Sequence, residues 1–354
     1  MTRRALIARL DSVGDVLLCG PAVRAVAASD GIDEVWMLCS TIGAPAARLL
    51  PGVDRVLEWD CPWITANAPA VTPEVMADLR GLLAEARPDV AIILTSFHQS
   101  PLPLALELRL AGVPRIVGAS VDFAGSLLDV RLKPGEDFPE DQPEPVRALT
   151  IARSAGFDLP HGDTGGLRMG TDPRGEDLYA SAGPYVVVHP GASASARRWP
   201  TGHHEELVRL LAEDGVRCVV TGGPGERDLT ARVAGHDGVD LGGDTELGVL
   251  ADVIRRASVV VCGNTGPAHL ASAVGTPVVS LFSPVVPPER WAPYGVPHLL
   301  LGDQRADCRG TRATECPVPG HPCLTSVTPS TVREAVLGLA PELVGLGSRE
   351  RSIA

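Results

Sequence analysis

Lysine is almost missing from this 354-residue chain: Lys133 stands alone among 31 basic residues. A Walker-type phosphate loop ends on a lysine and a Schiff base forms on one, so neither chemistry is available except at residue 133. Positive charge as a whole is short too. The 43 acidic residues leave a formal charge of -12 and a pI near 5.2, the wrong sign for a protein that holds nucleic acid through bulk charge. No run of about 18 apolar residues occurs, so no membrane-spanning helix is expected. The start, MTRRALIARLDSVGD, begins basic like a secretory leader, but Arg9 and Asp11 interrupt its apolar run. The expectation is a cytoplasmic protein with no membrane span, with peripheral contact to a membrane surface left open. Eight cysteines are too few for a disulfide scaffold. Cys19, Cys39, Cys61, Cys218 and Cys262 lie in or near apolar segments, where a thiol behaves as a small hydrophobe. Cys308, Cys316 and Cys323, with His321 beside the last, lack the short CxxC spacing of common zinc sites. They read as packing thiols, with a structural metal or a disulfide as the alternative, and no metal is expected.

What is present is 45% hydrophobic residues in a chain long enough for two domains. Apolar runs of strand length alternate with helix-length segments, the pattern of parallel α/β sheets. Strands are expected at 5–10, 34–38, 55–58, 90–94 and 115–118, with helices around 15–28, 73–86 and 102–111. A proline-rich acidic stretch and a helix in EPVRALTIARSAGF follow. A second set of strands is expected at 185–189, 216–221, 239–241, 259–262 and 278–282, with helices near 202–213, 226–235, 246–257 and 267–274. The Gly-, Asp- and Pro-rich segment 161–177 reads as the linker. The last apolar-periodic segment, 329–346, reads as a helix with one face to bury. The fold class is α/β, two Rossmann-like doubly wound domains over 1–165 and 180–328, with ligand expected at the carboxyl ends of the strands.

Four loops could carry chemistry. The turn DSVGDV brings Asp11, Ser12 and Asp15 to the end of the first strand, where a carboxylate either faces a ligand or caps the following helix. His98 and Gln99 follow the strand at 90–94 and could face an acceptor. In VVVHPGASASARRWP, His189, Pro190 and Gly191 lead to Arg197 and Arg198; small residues admit a ligand to the backbone, and a guanidinium suits a diphosphate. TGGPGE offers Thr221, Gly222 and Gly223 for close approach, and Glu226 either for ribose hydroxyls or as a helix cap. In CGNTGPAHL, Asn264, Thr265 and Gly266 open a helix carrying His269, and the amides of its first turn can bind phosphate.

These motifs resemble glycosyltransferase family 9, the heptosyltransferase family. The likeness is carried by RLDSVGDVLLCGPAVRAV, AGVPRIVG, HPGA with RRWP, TGGPGE, and GNTGPAHLASAVGTPVVSLFSP followed by WAPYG. It implies a GT-B fold, an acceptor-binding first domain, a nucleotide-sugar-binding second domain, and a C-terminal crossover helix over 329–350 that packs back on the first. It implies Asp15 as the base that deprotonates the acceptor hydroxyl for inverting attack, and Arg197 as the cation that stabilises the leaving diphosphate. Thr265, Gly266 and His269 match the anion-binding turn. No cofactor is implied beyond the nucleotide sugar, by resemblance ADP-heptose. Two positions depart from the family pattern. Asn264 stands where an Asp usually precedes the turn, and Ser283-Pro284-Val285 stands where a Gly-Pro-Thr element follows the next strand.

Charge bears on the acceptor. Residues 1–170 hold 15 basic and 22 acidic side chains, and the remainder 16 and 21. An acidic acceptor half suits a neutral or cationic small molecule, whereas a phosphorylated lipid A acceptor calls for a basic surface. The expected acceptor is therefore a soluble amino-sugar intermediate of natural-product or antibiotic biosynthesis, of aminoglycoside type. The alternatives are a lipopolysaccharide-core heptosyltransferase, a nucleotide-sugar epimerase of the same fold, and a non-catalytic sugar-nucleotide-binding protein.

Overall fold

The computed structural model describes residues 2–65, 68–96, 98–174, 183–243 and 245–344. The chain divides into two units, Met1–Gly170 and Thr171–Ala354. The expected linker at 161–177 and the expected helix at 329–350 both run partly outside the described residues.

The first unit holds a six-stranded sheet, β1 (Arg4–Arg9), β2 (Glu34–Cys39), β3 (Arg55–Glu58), β4 (Val90–Ile93), β5 (Arg115–Ala119) and β6 (Val130–Leu132), in the order β3-β2-β1-β4-β5-β6. Every pairing is parallel; β1 sets Ala5 beside Val35 on one side and Val90 on the other. Parallel strands covered by helices on both faces need apolar side chains on both, which is why ALIA of β1 and VAII of β4 are continuous buried runs instead of alternating ones. The second unit repeats the design with β7 (Tyr185–His189), β8 (Arg217–Gly222), β9 (Gly238–Gly242), β10 (Val259–Gly263), β11 (Val278–Leu281) and β12 (His298–Leu301), ordered β12-β11-β10-β7-β8-β9. The order reverses between β1 and β4, and again between β7 and β10. At such reversals the following loops diverge to opposite faces and leave a crevice at the carboxyl edge.

Several expectations change. The helix expected over 15–28 is two, Val13–Leu18 and Gly20–Ala27, meeting at Cys19, with Pro21 in the first turn of the second; proline fits a first turn because it has no N–H to place there. The C-terminal helix is Pro329–Leu339, capped by the Thr328 hydroxyl and followed by a 3₁₀ turn that begins at Pro341. Its Val332, Ala335 and Val336 lie in the core of the second unit with Val186, Leu207 and Leu281. Strands β6 and β12 were not expected. Both are short sheet edges with half-exposed side chains, so they show little apolar signal.

The segment after the helix Glu144–Ser154 is tied to the first unit by Arg24. Its guanidinium is 2.7 Å from Asp163 and donates to Gly166 O at 2.8 Å, and the bond holds the Asp163 carboxyl down to about 2. A depressed carboxyl contributes stability above its unfolded value near 4 and loses it as pH falls toward the folded value. The stability difference between the native chain and Asp163→Asn is therefore expected to be about 2 kcal/mol at pH 6 and to vanish near pH 2. Urea denaturation of both at each pH measures it, and a difference that does not change with pH would refute the assignment.

Candidate functional site

In the first unit the chemistry collects where β1 ends beside β4. Arg9, the last residue of β1, is 2% exposed, and three carboxylates surround its guanidinium. Nη2 lies 2.8 Å from Asp11 and 2.9 Å from Asp15, and Nη1 lies 3.5 Å from Glu144. Nη2 also donates to Ser96 Oγ at 2.8 Å. Gln99 Nε2 donates to Asp11 at 2.7 Å, so the loop after β4 reaches across the reversal to the loop after β1. Ser12 Oγ donates to Asp15 Oδ2 at 2.7 Å. Ser12, and neither Asp11 nor Asp15, occupies the N-cap of the helix Val13–Leu18; its side chain makes no cap bond, and Asp15 lies in the first turn. Burial raises the Asp11 carboxyl above its ordinary value, and the neighbouring Asp15 adds to this while Arg9 and Gln99 oppose it. The expected residues Ser12, Asp15 and Gln99 thus fall in one cluster. His98 sits exposed in the same loop.

Arg9, Ser96 and Glu144 were not among the expected site residues. Arg9 left a trace in the sequence, since a charged residue ending a strand that is otherwise buried on both faces must find a partner. Glu144 left none, because 135 residues separate it from Arg9.

In the second unit the loops after β7, β8 and β10 form the counterpart. His189 ends β7 with Nδ1 3.1 Å from Thr221 Oγ1 and Nε2 3.9 Å from Glu226. Burial lowers the tendency of His189 to take up a proton, and Glu226 opposes that. The Glu226 carboxylate lies against Gly191: a Cβ there would stand 2.0 Å from Glu226 Oε1, so a larger residue would push that side chain aside. Glu226 Oε2 accepts the Gly223 amide at 2.8 Å, the reciprocal half of a capping box. Its hydrogen bond is therefore that of the capping alternative, beside its 3.9 Å approach to His189.

The RRWP motif divides its work. Trp199 is buried in the core and its indole N–H donates to Val327 O at 3.0 Å. Arg198 ties the loop back on itself through Ala192 O at 2.7 Å. Arg197, at the end of the 3₁₀ turn Ser195–Arg197, reaches Asn264 O with Nη1 at 3.4 Å. Thr265 is the N-cap of the helix Gly266–Val274, and His269 is buried one turn in. The expected set of first-turn amides is smaller than foreseen. Pro267 has no N–H, and Ala268 N–H donates to Thr265 O at 3.0 Å. The helix can offer the Gly266 amide and its dipole to an anion.

All eight cysteines are free thiols. Cys308 packs with Phe282, Val285 and Val286, and burial pushes the Cys323 thiol up to about 11. Among the described residues, no group of three or more His, Cys, Asp or Glu side chains is placed to hold a metal ion, and no helix is long and apolar enough to cross a membrane.

Comparison with known families decides the relationship. The model of glycosyltransferase family 9 (heptosyltransferase) matches residues 102–320, more than half of the chain. The chain belongs to that family. Lipopolysaccharide heptosyltransferase 1 of Escherichia coli (strain K12) is 32% identical over 113 residues, 31% of this chain and 35% of that protein. Lipopolysaccharide heptosyltransferase 2 of the same strain is 26% identical over 233 residues, 58% of this chain and 62% of that protein. The chain thus matches between about a third and somewhat under two thirds of the length of these two relatives. In three dimensions the likeness extends over nearly the whole chain. The structure of E. coli ADP-heptose lps heptosyltransferase II superposes with a TM-score of 0.72 at 20% identity, covering 96% of this chain and 99% of that one. The family 9 chain described here therefore has the GT-B fold that its motifs implied.

Proposed function

We propose that this family 9 protein is an inverting, metal-independent glycosyltransferase. It moves a heptose or related sugar from a nucleoside diphosphate, ADP in the first instance, to a hydroxyl of a soluble amino-sugar acceptor. The observation that carries the reading is the presence, in a member of this family, of two sets of groups, one in each unit. One is the carboxylate cluster around Arg9 at the end of β1; the other is Arg197, held at the turn that opens the helix Gly266–Val274.

Asp15 takes the proton from the acceptor hydroxyl, whose oxygen bonds to the anomeric carbon. The bond from that carbon to the diphosphate oxygen breaks, and its electron pair leaves with the nucleoside diphosphate. Negative charge grows on the diphosphate as this happens. Arg197, the Gly266 amide and the helix dipole oppose that charge from fixed positions, which is why no divalent cation is needed. His189, Pro190, Gly191, Thr221, Gly222, Gly223, Glu226, Thr265 and His269 form the donor side, and Ser12, His98 and Gln99 the acceptor side. The 22 acidic against 15 basic residues in 1–170 favour a cationic acceptor over a phosphorylated one. The second reading, a lipopolysaccharide-core acceptor, is favoured by the names of the curated relatives.

Calorimetric titration with ADP, GDP, UDP and ADP-heptose, in magnesium and in excess chelator, tests the donor side. Selective binding of ADP and ADP-heptose under both conditions is expected. Binding that requires magnesium overturns metal independence, and preference for another base changes the donor. An acceptor screen that yields transfer to a lipid A-type glycan and none to amino sugars would overturn the acceptor assignment.

A further inference from the structure

Asn264 has its side chain engaged at both ends by the backbone of a single residue. Nδ2 donates to Ser283 O and Oδ1 accepts from Ser283 N–H, each at 3.3 Å. Asn264 is 5% exposed and Ser283 is fully buried, so water does not compete at this junction. An amide can donate and accept toward one peptide in this way. A carboxylate in its place could accept from the N–H but would face the Ser283 carbonyl with no hydrogen to give. The backbone of Asn264 does something else: its carbonyl accepts from Arg197 Nη1 at 3.4 Å. The residue before it presses on the same loop, since a Cβ on Gly263 would lie 2.9 Å from Arg197 O. The loops after β7, β10 and β11 therefore meet at Gly263-Asn264.

We propose that Asn264 is a positioning residue for Arg197: its amide clamps the turn after β10 to the Ser283 backbone, and the clamped carbonyl fixes the guanidinium that meets the donor diphosphate. This rests on the donor reading above. It assigns the Asn264 side chain to the protein backbone and not to the sugar, and that makes a distinctive demand. Loss of the clamp must weaken ADP and ADP-heptose by the same factor, because both carry the diphosphate.

The test is calorimetric titration of the native protein, Asn264→Asp and Gly263→Ala with ADP and with ADP-heptose, at pH 8 and pH 5. At pH 8, Asn264→Asp is expected to bind both ligands about tenfold more weakly than the native protein, the scale of one lost hydrogen bond and the strain that follows. Burial raises the titration point of the introduced carboxyl and the Arg197 guanidinium at the same turn lowers it, so acidification from pH 8 toward pH 5 shifts it toward the protonated form, which can donate to Ser283 O. The gap in affinity between Asn264→Asp and the native protein should then narrow as the pH falls. Gly263→Ala displaces the Arg197 loop without touching the amide, so it should weaken both ligands equally and show no recovery at low pH. Asn264→Ala, which removes both bonds and adds no charge, carries the test if Asn264→Asp does not fold: equal weakening of both ligands with no recovery at low pH is expected. An Asn264→Asp protein that loses affinity for ADP-heptose while binding ADP normally would place the side chain on the sugar and overturn the proposal, as would two variants that bind like the native chain. Native protein that binds no nucleoside diphosphate would instead overturn the donor reading, and this role with it.

Discussion

Arg9→Met is expected to cost about 3–5 kcal/mol of stability at neutral pH, the largest effect of any single substitution considered for the first unit. The methionine fills much of the volume of the arginine stem, so the loss is electrostatic. Asp11, Asp15 and Glu144 would be left side by side without the guanidinium they share, and Ser96 would lose its donor. A buried ion cluster is weak evidence of net stabilisation, but removing the shared guanidinium is costly because charge stays behind in a dry place. The sign of the pH dependence follows. In the variant the carboxyls titrate higher than in the native protein, so the variant is weakest where they are forced to ionise and recovers as they take up protons. Guanidinium denaturation followed by circular dichroism should show a gap at pH 7 that narrows toward pH 4. Coincident midpoints at pH 7 would show that the guanidinium compensates nothing.

Asp15→Asn is expected to reduce sugar transfer by about 10²–10⁴, the usual worth of a general base, while donor affinity changes little. The substitution is nearly isosteric. An asparagine can keep the Arg9 Nη2 bond on Oδ1, and its Nδ2 can donate to Ser12 Oγ with that bond reversed, so what disappears is basicity and not placement. Asp15 is also the more reachable of the two aspartates, with its side chain 24% exposed against 9% for Asp11. Release of ADP from ADP-heptose in the presence of a working acceptor measures transfer, and calorimetry measures donor binding. An Asp15→Asn protein with undiminished turnover would move the base elsewhere. Asp11, raised by burial and 2.7 Å from Gln99, would be the first alternative.

Which parts of this molecule could be read from the chain depends on the range of the interactions involved. Eight of the ten expected strands were legible because a parallel strand covered on both faces is a continuous apolar run, a signal confined to a few adjacent residues; β3 and β9 are sheet edges whose weaker pattern was read from their place between helix-length segments. The loops Asp11–Asp15, His189–Gly191, Gly222–Glu226 and Asn264–Gly266 were legible for a related reason. Glycine, small residues and strand ends mark where backbone comes close to a ligand, and the family motifs are contiguous. The edge strands β6 and β12 escaped because half-exposed edge residues carry little pattern. The break at Cys19 escaped because a proline in a first turn does not interrupt the apolar periodicity on either side.

The sequence by itself determined the α/β class, the two-domain division, the family, and the identity of Asp15 and Arg197 as the residues to examine, since each of these is written in local runs and short motifs. Only the tertiary structure decided what surrounds them. Arg9 gathers carboxylates from residues 2, 6 and 135 positions away, and Asn264 grips a peptide 19 residues further along. It also showed Glu226 bonded to its own loop, and the first-turn amide at Ala268 already in use. The physical reason is common to all of them. A buried polar group must be satisfied by whatever the fold brings within about 3 Å, and that partner is chosen by the crossing of strands and helices, not by proximity along the chain.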